Sequence, residues 1–233
     1  MRIERLGNWL SAPAGWLVAV LLAGCASAPV GTDGEAPVAG AKIAEQPLTR
    51  PARPARLKAT GDYEFAVTES VRVPASVRSD YDAALTLLAT GRLRDGIEAL
   101  EAVVLAAPQF TAPHLDLGVA YLKRGAYDKA EASLRTALAL TPGHPVAANE
   151  LGVVYRKTGR FVEARASFEA ALGTFRNYHH AQKNLGVLCD LLLNDLECAL
   201  ENYLAYQKAF PDEKVIEIWI ADVRSRMNGA HPL

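Results

Sequence analysis

The chain has 233 residues, with 25 Lys+Arg against 26 Asp+Glu, a formal charge of −1, and 50% of its residues apolar. That balance excludes the basic stripe of a nucleic-acid binder, and the length bounds the fold to one or two modest domains. Ala and Leu abound and only one short stretch alternates β-branched and aromatic residues, so an all-α domain is expected.

Residues 1–24 read as a secretory signal, because Arg2 and Arg5 precede an apolar run from Trp16 to Ala23. That run is far shorter than the ~20 residues of a spanning helix. It ends in Leu22-Ala23-Gly24-Cys25, which resembles the lipobox of bacterial lipoproteins. The resemblance implies cleavage before Cys25 and lipidation of its thiol. Ala26 is not the aspartate associated with inner-membrane retention, so it also implies an outer-membrane lipoprotein facing the periplasm. A chain anchored this way is held at the membrane without spanning it.

From Cys25 to residue 60 the sequence is rich in Pro, Ala and Gly and lacks hydrophobic periodicity, the composition of a disordered tether. Its Arg50, Arg53, Arg56 and Lys58 read first as solvated charge, with contact to anionic lipid or cell wall as the alternative. Residues 61–76 form a short extended lead-in, strand-like at Tyr63-Glu64-Phe65-Ala66-Val67.

The remainder is self-similar. Gly118, Gly152 and Gly186 stand 34 residues apart inside Asp-Leu-Gly, Glu-Leu-Gly and Asn-Leu-Gly. The same register pairs Tyr121 with Tyr155, Gly125 with Gly159, Ala130 with Ala164, Leu134 with Phe168 and Ala137 with Ala171, and Pro108 and Pro142 close two units. This resembles the tetratricopeptide repeat. The resemblance implies a superhelical solenoid of helix-turn-helix units at 77–110, 111–144, 145–178 and 179–213. A single such unit cannot bury its apolar face alone, so neighbours stack.

Departures are informative. Arg176 replaces a closing proline, Cys189 stands in the tyrosine position, Leu193 stands in the turn-glycine position, and one extra residue precedes Ala199, Tyr203 and Pro211. An irregular turn is expected there. A capping helix, 214–229, is expected to begin near Asp212 and to carry Val215, Ile216, Trp219, Ile220, Val223 and Met227. With Ile218 its apolar surface is wider than one face, which leaves both simple capping and a partner contact open.

The family architecture implies that the first helix of each pair lines a concave groove. One groove position carries Leu85, Val119, Val153 and Val187. Its flanks are Tyr81, Leu88, Leu115 and Leu122 in the first two repeats, and Asn149, Arg156, Lys183 and Asp190 in the last two. The groove is thus expected to be apolar at one end and charged at the other, suited to a peptide or an amphipathic helix. The family's carboxylate clamp needs an asparagine where these aliphatics stand, so that mode is rejected. Occupation by the chain's own Tyr63, Phe65 and Val67, and plain packing between helices, stay open beside partner binding.

Cys189 and Cys198 are nine residues apart across the fourth inter-helix turn, either as a disulfide or as two reduced, packed thiols. No Cys/His set has metal-ligand spacing, and His179-His180 are adjacent, so neither metal nor cofactor is expected. No nucleophile elbow, phosphate loop or zinc-helix motif occurs, which predicts a non-enzyme. The tail Trp219-Ile220-Ala221-Asp222, after Asn184-Leu185-Gly186, is similar to a group of tetratricopeptide lipoproteins of Gram-negative bacteria. That similarity implies a scaffold with envelope-protein partners, among them TonB-type energy-transducing machinery. Adaptors for peptidoglycan hydrolases, assembly factors for pilus or outer-membrane proteins, a direct cell-wall glycan binder and a homodimer built through the cap are the other expectations.

Overall fold

The computed structural model describes residues 56–68 and 71–229, so the signal segment, the lipobox with Cys25 and residues 26–55 of the tether lie outside the described chain. The first element corrects the expected end of the tether. Strand β1, Arg56–Ala59, pairs antiparallel with β2, Phe65–Thr68, in a register that sets Arg56 opposite Thr68 and Ala59 opposite Phe65. Their loop closes on the Glu64 carbonyl, which accepts from Thr60 N at 3.0 Å and Gly61 N at 3.3 Å. An isolated hairpin this short is marginal in water. Phe65 fastens it, with its ring 5.1 Å from that of Phe175 and 5.7 Å from that of Tyr178.

The helices that follow are α1 Ala75–Ala89, α2 Leu93–Ala106, α3 Thr111–Arg124, α4 Tyr127–Leu140, α5 Pro145–Lys157, α6 Phe161–Thr174, α7 His179–Leu188, α8 Leu196–Ala209 and α9 Lys214–Met227. They pack as the hairpins α1/α2, α3/α4, α5/α6 and α7/α8, and each second helix also packs on the next first helix. First helices α3, α5 and α7 touch in turn. The result is a two-layer solenoid, matching the all-α expectation apart from the added hairpin.

The repeating glycines set the spacing within each unit. A Cβ at Gly118 would lie 2.6 Å from Leu134, one at Gly152 2.6 Å from Phe168, and one at Gly186 2.6 Å from Tyr203. Leu134 and Phe168 are fully buried and Tyr203 nearly so, so the second helix rests directly on the backbone of the first. Contacts between units also repeat. The Tyr121 hydroxyl donates to Glu101, and the equivalent Tyr155 hydroxyl accepts from Arg135 at 2.9 Å and donates to Glu131 at 3.2 Å.

Repeat closure does not depend on proline. His114 Nε2 donates to the Pro108 carbonyl at 2.9 Å, and Gln182 Nε2 donates in the same way to Arg176 at 3.0 Å. Helix α6 still ends at Thr174, because Phe175 turns to extended backbone and buries its ring.

In the fourth repeat the extra residue is taken up inside the first helix. Helix α7 passes into a π-helical turn, Cys189–Leu193, and Asn194 then takes the left-handed conformation, with φ 52°, that Gly125 and Gly159 adopt elsewhere. Leu193, expected at that turn position, stays in the π-turn. Asn is among the few side chains that tolerate this geometry. Cys189 and Cys198 are joined as a disulfide, Cα to Cα 5.9 Å, fastening the π-turn to α8.

Helix α1 begins at Ala75 rather than 77. Helix α9 begins at Lys214 as expected, with Glu213 and not Asp212 at its N-cap, and ends at Met227 rather than 229. Glu213 gives α9 no side-chain cap because its carboxylate accepts from Lys183 Nζ at 2.9 Å and from the Tyr206 hydroxyl at 2.6 Å. Helix α9 buries Ile216, Ile220 and Val223, sets Trp219 5.4 Å from the Tyr203 ring, and leaves Val215 and Ile218 exposed.

Candidate protein-binding groove

Leu85, Val119, Val153 and Val187 sit at one position of α1, α3, α5 and α7, each half-buried and packed against the core. They repeat at one register on the layer of first helices, each against the same apolar core. Leu88 and Leu122 flank that register, also half-buried.

Four expected lining residues prove to be buried: Tyr81, Leu115, Asn149 and Asp190. Neighbouring helices claim the polar ends of Tyr81, Asn149 and Asp190. Tyr81 packs edge-on against Phe110 at 5.3 Å and donates its hydroxyl to Asp116, while Asn149 accepts from Asn184 at 2.9 Å and donates to Glu150 at 2.9 Å. Asp190 accepts from the Tyr203 hydroxyl at 3.1 Å and from Arg226 of α9. The expected charged end is therefore largely neutralised within the chain. Lys183 belongs to Glu213 and lies 4.9 Å and 5.7 Å above the rings of Tyr206 and Trp219. Arg156 alone of these charges lacks an acidic partner among the described residues.

Two acids escaped the sequence reading, although both stand immediately before Leu-Gly in the repeat. Burial pushes the Asp116 carboxyl up to about 6, against the opposing effects of the Tyr81 hydroxyl and the Lys123 charge. Burial raises Glu150 as well, opposed by Asn149 and Lys123.

Of the chain's own Tyr63, Phe65 and Val67, Phe65 packs on a cluster of Phe175, Tyr178, Ala148, Ala171 and Ala181 around the α6–α7 junction, bordered by Val146, and none of these is an expected groove position. His179 and His180, expected not to share a helical face, place their rings 4.3 Å apart at the start of α7. Cys189, Asp195 and Cys198 gather within 4.8 Å, but the sulfurs are bonded to each other, and Asp195 caps Cys198 N at 3.1 Å and pairs with Arg165 at 2.8 Å. Among the described residues no helix is long and apolar enough to cross a membrane.

Family models described as tetratricopeptide repeat match residues 81–145 and 123–185. The fold is a tetratricopeptide-repeat solenoid. MamA from Desulfovibrio magneticus superposes with a TM-score of 0.61 at 19% identity, over 68% of this chain and 89% of the other. PilF from Pseudomonas aeruginosa gives 0.59 at 17%, over 66% and 70%. An O-GlcNAc transferase mutant from Thermobaculum terrenum gives 0.55 at 25%, over 60% of this chain but only 27% of the enzyme. No curated protein matches in sequence. Tetratricopeptide-repeat proteins mediate protein–protein interactions, so a scaffold with protein partners is the coarse function that the repeats carry.

Proposed function

We propose that this chain is a periplasmic scaffold, held by a lipid on Cys25 at the outer membrane, whose tetratricopeptide groove recruits a protein of an envelope complex. The observation that supports the groove is the aliphatic set Leu85, Val119, Val153 and Val187, half-buried at one register of the four first helices, while Phe65 packs against Phe175 and Tyr178. The anchor rests on Leu22-Ala23-Gly24-Cys25 and the tether composition. On this reading the chain performs no reaction and binds neither nucleic acid nor a cofactor. TonB-type energy-transducing machinery is the first complex to test, ahead of peptidoglycan hydrolases, pilus or outer-membrane assembly, and cell-wall glycan.

The experiment is photocrosslinking in intact cells from residues introduced at Val119 and Val153, with mass spectrometry of the adducts. One envelope protein captured from both positions is the expected result. Adducts confined to residues 56–68 of the same chain would sink the recruiting groove. Cys25→Ser should move the protein from the membrane to the soluble periplasmic fraction, and unchanged fractionation would remove the lipid anchor.

A second reading is favoured by Val215 and Ile218, 48% and 66% exposed on α9. In that reading the cap meets a second copy of the chain. Sedimentation equilibrium showing a monomer at high micromolar concentration would eliminate it.

A further inference from the structure

The charged residues of the solenoid are not uniformly matched. Among the described residues, the half-buried cations besides Arg156 are Arg160, Arg165, Lys183 and Arg226. Arg160 reaches Glu131 at 2.7 Å, Arg165 reaches Asp195 at 2.8 Å, Lys183 reaches Glu213 at 2.9 Å, and Arg226 pairs with Asp190. Arg156 is the exception. Among the described residues its Nε is shut off from solvent with no hydrogen-bond partner, and no carboxylate pairs with its guanidinium.

Burying a donor without an acceptor costs free energy, and a guanidinium presents a planar fork matched to a carboxylate. Arg156 also shares its register in the repeat with Leu122 before it and Asp190 after it, on the flank of the aliphatic set. Asp190 cannot turn toward it, because Arg226 and the Tyr203 hydroxyl already hold that carboxylate. With Nε itself closed off, the two terminal nitrogens are the part of the guanidinium that stays open to a carboxylate from outside, and no carboxylate among the described residues pairs with them.

We infer that Arg156 anchors a carboxylate of a partner protein segment laid across Val119, Val153 and Val187, so that the groove selects an acidic residue flanked by aliphatic ones. This rests on the recruiting-groove reading above and adds the chemistry of its occupant. It differs from the family's clamp, whose asparagine position is aliphatic here.

The test pans the full chain against displayed random peptides, then measures the dissociation constant of the best peptide, and of the same peptide with its acid changed to the amide. Selected peptides should carry an Asp or Glu beside aliphatic residues. Arg156→Gln should weaken the acidic peptide on the order of ten- to a hundredfold, the amide peptide should bind wild type and variant alike, and Arg156→Lys should recover part of the loss. Arg156→Met, which keeps the aliphatic stem and removes the unsatisfied buried Nε–H, should melt no lower than wild type, and a lower melting temperature would mark Arg156 as a structural residue and overturn the inference. Equal affinity of wild type and Arg156→Gln for the acidic peptide would overturn it too. If Val153→Asp, or Val119→Asp where the first does not fold, abolishes binding while Arg156→Gln does not, the groove stands and Arg156 alone falls. Peptides indifferent to all these variants, or no enriched peptide, would take the groove reading down as well.

Discussion

Gly152 and Phe168 meet so closely that a Cβ on the glycine would lie 2.6 Å from the ring, which is fully buried and has no room to swing aside. Gly152→Ala should therefore destabilise the solenoid by about 1–3 kcal/mol through overpacking, even though alanine is the better helix former. Gly173, in α6, has open space where its Cβ would be, so Gly173→Ala should be neutral or stabilising. Urea melts of the two variants side by side check the contrast.

Asp116 makes stability depend on pH in a definite direction. Its carboxyl titrates near 6 in the fold against an ordinary 3.8, so between those values the unfolded chain is the more ionised. The group thus lowers stability as pH rises through that window and lowers it no further above. Full burial would make this about 3 kcal/mol, and partial exposure reduces it to on the order of 1–2 kcal/mol. Asp116→Asn, which keeps an acceptor for Tyr81, should be more stable than wild type at pH 7 and converge with it below pH 4. Denaturation midpoints across that range are the measurement.

Reduction of Cys189–Cys198 should cost about 2–3 kcal/mol, the loop-closure entropy of a short bridge. The loss should concentrate in the π-turn and α8, which the bond joins. Amide exchange with and without reductant should show faster exchange there while α3 to α6 keep their protection. Uniform acceleration along the chain would contradict a local role.

Asn194 is the turn residue of the fourth repeat, with φ 52°. Asn194→Gly should leave stability nearly unchanged, whereas Asn194→Ala should cost about 1 kcal/mol by placing a Cβ in the left-handed region. Thermal melts of both variants decide this, and equal loss in the two would mean that the Asn side chain, not the backbone, matters.

Much of this architecture is written locally. Glycine spacing, the buried Leu134 and Phe168, and the turn residues Gly125 and Gly159 act within one unit, so a period read along the chain finds them. The extra residue of the fourth unit was visible, but its resolution as a π-turn was not, since the alternative of a longer loop preserves the same pattern. The groove was misjudged for a different reason. Tyr81 and Asp116 are 35 residues apart, as are Asn149 and Asn184, and Asp190 and Arg226 are 36 apart. Each separation is close to one period, so complementary polar pairs at that spacing were the signal that neighbouring helices consume these side chains. Strand β1 had no such cue, because Arg-Leu-Lys-Ala sits beside a Pro-rich stretch and acquires its structure only from β2 and, through Phe65, from residues far along the chain.

The anchoring of Phe65 at Phe175 and Tyr178 has a mechanical side. A pull applied at Arg56 meets the hairpin and its aromatic seat at the junction of the third and fourth units before it reaches α1. Load would then enter the solenoid near its middle, across several packed helices at once, instead of peeling the first helix from the end. The aromatic seat would act as a strain relief, and the first two units, with Val119 on their groove face, would stay slack while the chain is under tension.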